Sequence, residues 1–487
     1  MFIKDITPQI WQYFEDICRI PRPSKKEEKI CAYIRQFADN LRLTYQQDEV
    51  GNIVIRKPAS QGKEHASTVI LQSHVDMVCE KNGNVHHNFE TDPIDHYIDG
   101  DWVKARGTTL GADDGIGVAA MLAVLADKDI EHGPLEALFT VDEETGLTGA
   151  RALQTGFLTG KILINLDSED EGELFIGCAG GIDTVATLKY DHKVIPPNSI
   201  AYKLSISGMT GGHSGDDINK RRGNAIKILN HLLLEASKLF GISICLFEGG
   251  NLRNAIPREA SAVIVVDACY QNDFEQYCAS ESQLWKEALI STSPGFLFTV
   301  DPCDMPRHIM DIISQSCLLN ALSMCPSGVV SMSKTMPNMV STSTNIASVK
   351  FTGNREITIA TSQRSDCEDA KVSINKRVRR LFAMMGGEVM SSDGYPGWTP
   401  NPKSPVLKIT KSAYYGLFGK NPVVRAIHAG LECGLFLEKY PQLDMISFGP
   451  TIKNVHSPSE QLHVPSVKRF SDLLLKTLDD ISINQLN

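Results

Sequence analysis

The feature that most limits what this chain can become is a set of three short, largely apolar runs, each leading into a histidine or an acid: TVILQSHV (68–75), LEALFTVD (135–142) and ILINLD (162–167). Runs this short suit strands rather than long helices, and their lack of polar alternation means that both faces are buried. DGIGVAAMLAVLAD (114–127), which falls between the first two, has the length and continuous apolar character of a buried helix. Buried strands alternating with helices specify an α/β fold, with a mostly parallel central sheet flanked by helices. Ligands gather at the carboxyl ends of the strands of such sheets, so the polar residues after these runs stand where a site is expected.

From about residue 185 the pattern changes to strand–turn–strand material, as in SIAYKLSISG (199–208) and ASAVIVVDACY (260–270), with a helix predicted over 219–240. That grouping suits a separate α+β domain. It ends in the turn-rich segment SSDGYPGWTPNPKSP (391–405), after which helix and strand patterns like those of the first part return. His456 lies in this last part. If it joins the early polar residues, 1–184 and 394–487 form one discontinuous catalytic domain, and 185–393 is an inserted lid or dimerisation domain. The sequence shows no internal repeat.

Composition removes several classes of function. The chain has 487 residues, a formal net charge of -10 and an isoelectric point near 5.7, which argues against a broad nucleic-acid-binding surface. The first twenty residues, MFIKDITPQIWQYFEDICRI, carry charges throughout and lack the apolar core of a secretory signal. No apolar run approaches the roughly 20 residues needed to span a bilayer. The 12 cysteines are scattered without a CxxC pair. Reduced thiols in a cytoplasmic protein are therefore expected, with no membrane or nucleic-acid partner.

The residues that carry chemistry are dispersed. In HVD, His74 and Asp76 are two apart, so in extended backbone both side chains share a side and the carboxylate can anchor the second ring nitrogen of a metal-bound imidazole. GADDGIG (111–117) puts Asp113 and Asp114 before a helix. Capping of the helix amides would explain them, but the glycines also allow a tight turn that leaves both oxygens of Asp113 free to bridge two metals. DEETG (142–146) follows a strand, and consecutive side chains there point apart, so one of Glu143 and Glu144 can bind metal while the other acts as general base. Asp167 ends another buried strand, and His456 sits in the proline-bounded loop NVHSPSE. Each motif alone also reads as an ordinary polar turn. Together, Asp113, Glu144 and Asp167 leave one positive charge on a pair of divalent cations, which suits a bridging hydroxide between metals roughly 3.5 to 4 Å apart.

The ordered motifs SHVDMV, GTTLGADDGIG, DEETGLTGA, NLDSED, GMTGGHSGDDI and NVHSPSE resemble those of the aminoacyl-histidine (Xaa-His) dipeptidases over nearly the whole chain. This group, which includes the cytosol non-specific dipeptidases, belongs to the metallopeptidase clan of carnosinases, tripeptidases and aminoacylases. The resemblance implies that His74 and Asp167 hold one metal, Glu144 and His456 the other, and that Asp113 bridges them. It makes Glu143 the general base toward a metal-bridging water, Asp76 the residue that orients His74, and the Asp113–Asp114 peptide cis. It makes His213 the electrophile at the substrate oxyanion, supplied by its own subunit or by the partner of a homodimer. Arg364 is the candidate clamp for the substrate carboxylate, with Asn254 as a further polar contact. The implied reaction is hydrolysis of dipeptides with a free amino terminus, Xaa-His dipeptides among them, with two zinc ions and with cobalt or manganese as alternatives. The rival readings are an aminoacylase or deacetylase of the same clan and a catalytically silent binding protein.

Overall fold

The computed structural model describes residues 4–334, 336, 338–353 and 355–483. These fall into two compact units, the first drawn from Met1–Gly177, Trp398–Ala426 and Leu431–Asn487, the second from Cys178–Gly397 and Ile427–Gly430.

The first unit is built on an eight-stranded mixed sheet. Its spatial order is Thr44–Gln47, Ile53–Lys57, Leu135–Thr140, Val69–His74, Ile162–Asn165, Asp444–Ser447, Glu173–Cys178 and Val423–Ile427. The four strands from Leu135–Thr140 to Asp444–Ser447 run parallel, which is the sheet expected from the sequence, and the flanking strands Thr44–Gln47, Ile53–Lys57 and Glu173–Cys178 are antiparallel. Every residue of Leu135–Thr140, Val69–His74 and Ile162–Asn165 is buried. Helix Ala112–Ala126 is apolar on nearly all sides and correspondingly buried. All three central strands stop at the same edge of the sheet, so His74, the Asp142–Glu144 segment and Asp167 meet there.

A smaller antiparallel sheet supplies the remaining loop. Strands Ile452–Lys453 and Gln461–His463 form a hairpin that pairs with Trp102–Ala105, and residues 454–460 are its turn. The turn thus stands beside the segment that leads from Ala105 into helix Ala112–Ala126.

The second unit carries a nine-stranded sheet with a repeat that the sequence does not reveal. Strand Ser199–Ser207, helix Ala225–Phe240, strands Ser243–Gly249 and Ala260–Asp267, helix Gln271–Leu289 and strand Leu297–Pro302 form one βαββαβ set. Strand Gly180–Lys189, helix Ile312–Met324, strands Val340–Thr352 and Glu356–Ser365, helix Glu368–Met384 and strand Glu388–Ser391 form another, into which the first is inserted. In each set the spatial order is fourth, first, third, second, and the two sets join antiparallel through their second strands at Gly249 and Val349. The repeat lies in topology rather than in residues, because many apolar sequences satisfy the same buried pattern.

Burial decides where this fold is sensitive. Leu71 is fully buried in a central strand, whereas Ile98 is 71% exposed. Leu71→Ala should cost about 2 to 5 kcal/mol, and Ile98→Ala should stay within about 0.5 kcal/mol. Urea denaturation of the two variants checks this; equal losses would contradict the assigned core.

Candidate metal centre

Asp113 stands at the middle of the cluster. Its Oδ1 lies 3.1 Å from His74 Nε2 and its Oδ2 lies 3.1 Å from His456 Nε2. His74 Nε2 also lies 3.5 Å from Asp167 Oδ1, and His456 Nε2 lies 2.9 Å from Glu144 Oε2. The five candidate ligands therefore converge, with one imidazole and one carboxylate on either side of Asp113.

Local backbone explains the aim of each side chain. Gly111 takes the left-handed conformation before the helix, Asp113 and Asp114 have non-helical angles within its first turn, and the peptide between them is cis. Asp113 caps none of the helix amides, so both its oxygens face imidazoles. Asp114 is buried and accepts from the Ser73 hydroxyl. His456 itself adopts a left-handed conformation, φ 58°, which costs a non-glycine residue on the order of 1 to 2 kcal/mol. Such local strain is commonly held at functional positions.

The Asp142–Glu144 segment differs from the expected strand end. Glu143–Gly146 forms one helical turn, bounded by left-handed Asp142 and Leu147. The two glutamates still diverge, because successive helical residues are rotated about the axis. Glu144 reaches Asp113 and His456, while the charges around Glu143 are those of His74, Asp167, Glu144 and Glu432. Asp76 ties this turn down: its Oδ1 accepts from the Glu143 amide at 3.0 Å, and its Oδ2 accepts from the Glu144 amide at 3.2 Å and the Ser24 hydroxyl at 2.7 Å. Its Oδ1 also lies 3.4 Å from His74 Nδ1.

The electrostatics are those of a cation site. Burial, aided by Asp167, Glu144 and Glu432, pushes the Glu143 carboxyl well above the usual carboxylate range. Burial and neighbouring carboxylates push Asp167 to about 6. Burial opposes a charged His456, yet Asp113 and Glu144 overcome it and raise the imidazole to about 11. Glu144 Oε1 is buried without a hydrogen-bond partner. Donor atoms of His74, Asp113 and Glu144 lie within 4.8 Å of one another, as do those of His74, Asp114 and Asp167. Imidazoles and carboxylates packed this closely, with one buried oxygen unsatisfied, fit two divalent cations.

Beneath the centre lies a buried polar layer that sequence reading did not single out. Gln72 donates to Glu432 at 2.6 Å, as does Thr140 at 2.7 Å, and Asn165 donates to Gln72 at 2.6 Å. Glu432 is pushed to about 8, chiefly by burial. No local motif marks this residue; only packing brings it under the strand ends.

The second unit gathers the remaining candidates. His213 Nδ1 accepts from the amides of Gly215 and Asp216 at 3.2 and 3.3 Å, and the Asn254 carbonyl accepts from the Ser214 amide at 2.7 Å. The Asn254 side chain belongs to an exposed residue. Arg364 is buried; one guanidinium nitrogen donates to Tyr395 at 2.8 Å, and its Nε has no partner. His428, buried and 2.7 Å from Ser343 Oγ, lies within electrostatic range of both Arg364 and His213.

A model of peptidase family M20/M25/M40 matches residues 70–480. The cytosol non-specific dipeptidase of Escherichia coli (strain K12) is 42% identical over 480 residues, covering 98% of this chain and 99% of that protein. The crystal structure of aminoacylhistidine dipeptidase from Vibrio alginolyticus superposes with a TM-score of 0.88 at 40% identity, covering 98% of each chain. A tripeptidase from Staphylococcus aureus shares the fold with a TM-score of 0.57 at 15% identity, covering 99% of this chain and 100% of that one.

Burial, reinforced by Arg364 and His213, lowers the His428 pKa from 6.5 to about 3. Between those values the unfolded chain binds a proton that the folded chain refuses, so stability falls as pH drops from about 6.5 toward 3. His428→Gln, which keeps a polar group toward Ser343, should flatten that loss. Melting temperatures at pH 4 and pH 7 measure it, and an unchanged difference between the two pH values would refute the assignment.

Proposed function

Because the chain belongs to peptidase family M20/M25/M40, we propose that it hydrolyses dipeptides with a free amino terminus, Xaa-His dipeptides among them, at a centre holding two divalent metal ions. The observation that carries this reading is Asp113, whose two oxygens face two different imidazoles in a cluster of buried carboxylates. His74 and Asp167 would hold one ion, Glu144 and His456 the other, with Asp113 shared. When bound, the ions polarise the scissile carbonyl and make water acidic enough to attack near neutral pH.

The remaining work falls to the chain's own side chains. Glu143 takes the proton of the attacking water on its carboxylate and returns it to the leaving amine nitrogen. Its buried setting, among other carboxylates, favours the protonated form that this transfer produces. Asp76 holds the turn bearing Glu143 and Glu144 and orients His74. His213 commits Nδ1 as an acceptor to two backbone amides, which leaves the neutral ring its proton on Nε2, the form that donates to a developing oxyanion. Arg364, with its buried Nε unpaired, suits the substrate carboxylate, and Asn254 supplies a polar contact beside His213.

Zinc is the proposed metal, because imidazole and carboxylate donors suit it, with cobalt or manganese as replacements. A cytoplasmic setting fits the absence of disulfides among the described residues and the name of the Escherichia coli relative, a cytosol non-specific dipeptidase. A homodimer is proposed through the second unit, where strand Gly328–Met332 exposes Val329, Val330 and Met332. The protein is not expected to bind nucleic acid or membrane, and no helix among the described residues is long and apolar enough to cross a bilayer.

Glu143→Ala should retain two equivalents of metal and lose roughly 100- to 10,000-fold in kcat on β-alanyl-histidine or another dipeptide. Near-normal turnover would refute the role of Glu143. A panel of free and N-acetylated substrates separates the dipeptidase from an aminoacylase: free dipeptides should be cleaved and N-acetyl amino acids should not. Faster cleavage of the acetylated set would overturn the substrate assignment, and metal binding without hydrolysis of either set would favour a silent binding protein.

A further inference from the structure

The helix that begins at Ala112 has amides at its start that need acceptors, and the natural candidates are the acids in its first turn. They do not serve. Glu460 takes the task instead: one carboxylate oxygen accepts from the Leu110 and Gly111 amides at 2.8 and 3.0 Å, and the other accepts from the Ala112 and Asp113 amides at 2.8 and 3.3 Å. Glu460 is 2% exposed and comes from the hairpin turn that carries His456. A single short loop therefore presents an imidazole to Asp113 Oδ2 and an anion to the amide of the same residue.

The opposite side of the turn is held by a cation. Arg22, also 2% exposed, donates to the carbonyls of Val75 and Asp76 at 2.9 and 2.7 Å and to the carbonyl of Gly111. The turn bearing Asp113 is thus fixed on its amide side by Glu460 and on its carbonyl side by Arg22, which also grips the end of the His74 strand. Space around it is tight: a Cβ at Gly111 would lie 2.6 Å from the Arg22 guanidinium.

We propose that Glu460 is a positioning residue for the metal centre: by satisfying the amides of residues 110–113, it frees the Asp113 carboxylate to bridge and couples its placement to that of His456. This rests on the two-metal reading above. Removing the carboxylate leaves the amides competing for the acids of the first turn, Asp113 among them. Both the shared ligand and His456 would then lose their common register, and metal affinity would fall even where the fold survives.

Glu460→Gln is the sharpest change, because it keeps size while placing an amide donor against backbone donors. Glu460→Asp keeps the charge on a shorter arm and provides a second variant. Glu136→Gln is the control: Glu136 is a buried carboxylate at the other end of its strand, accepting from the Thr159 and Gly160 amides at 2.8 and 3.0 Å. Full-length proteins stripped with chelator are titrated with zinc against a chromophoric competitor, with melting temperature measured in parallel. Wild type should bind two equivalents, and Glu460→Gln should bind at least one of them roughly 10- to 100-fold more weakly. Glu460→Asp should fall between these two, and Glu136→Gln should match wild type in zinc affinity while melting earlier. Wild-type affinity in Glu460→Gln, or an equal loss in Glu136→Gln, would overturn the positioning role; should Glu460→Gln not fold, wild-type affinity in Glu460→Asp would do the same. Fewer than two equivalents in wild type would instead overturn the two-metal reading itself, and this inference with it.

Discussion

Like charges crowded into a low-dielectric space are the constraint on which the first unit turns. Asp113, Asp114, Glu143, Glu144 and Asp167 occupy one small region, and burial raises the cost of ionising most of them. Protonating some of the acids and charging both imidazoles would relieve the strain, and two divalent cations would relieve it with the candidate ligand carboxylates ionised. A core of similar volume made of apolar residues would be cheaper to fold. The cluster is intelligible as a site whose stability was exchanged for chemistry.

The rest of the unit is arranged around that cost. Parallel strands end together, so His74, Glu143, Glu144 and Asp167, from three separate stretches of sequence, reach one edge. Their ends are then tied by backbone contacts rather than left as loops: Asp76 holds the amides of Glu143 and Glu144, and Glu460 and Arg22 hold the turn before Asp113. The buried layer of Gln72, Thr140, Asn165 and Glu432 underlies the same edge. Side chains locked in this way stay near one geometry, which metal sites and proton transfer both require.

The second unit solves a different problem. A βαββαβ set has an open edge at its second strand, and an open edge pairs readily with another chain. Here the set 199–302, inserted within the other, covers that edge through the Gly249–Val349 pairing. His213 and Asn254 come from the inserted set and Arg364 from the host set, with His428 returning from a later segment to lie near His213 and Arg364.

Much of this was legible in the residues. The buried runs 68–75, 135–142 and 162–167 announced parallel strands, because only strands covered on both faces dispense with polar alternation. The acids and the histidine at their ends pointed to the candidate cluster, since local patterning records which side chain follows which element. What sequence could not reveal were relations between distant segments. Whether Asp113 capped its own helix or faced two imidazoles depended on Glu460, nearly 350 residues away, arriving to take the amides. The single turn at Glu143–Gly146 replaced an expected strand end, and the repeat in the second unit was invisible because topology constrains burial rather than identity. Sequence by itself marked the candidate donors and the buried central strands, because such patterning is set by neighbours along the chain. Tertiary structure decided which oxygen met which nitrogen, because that depends on contacts the chain makes only after it has folded.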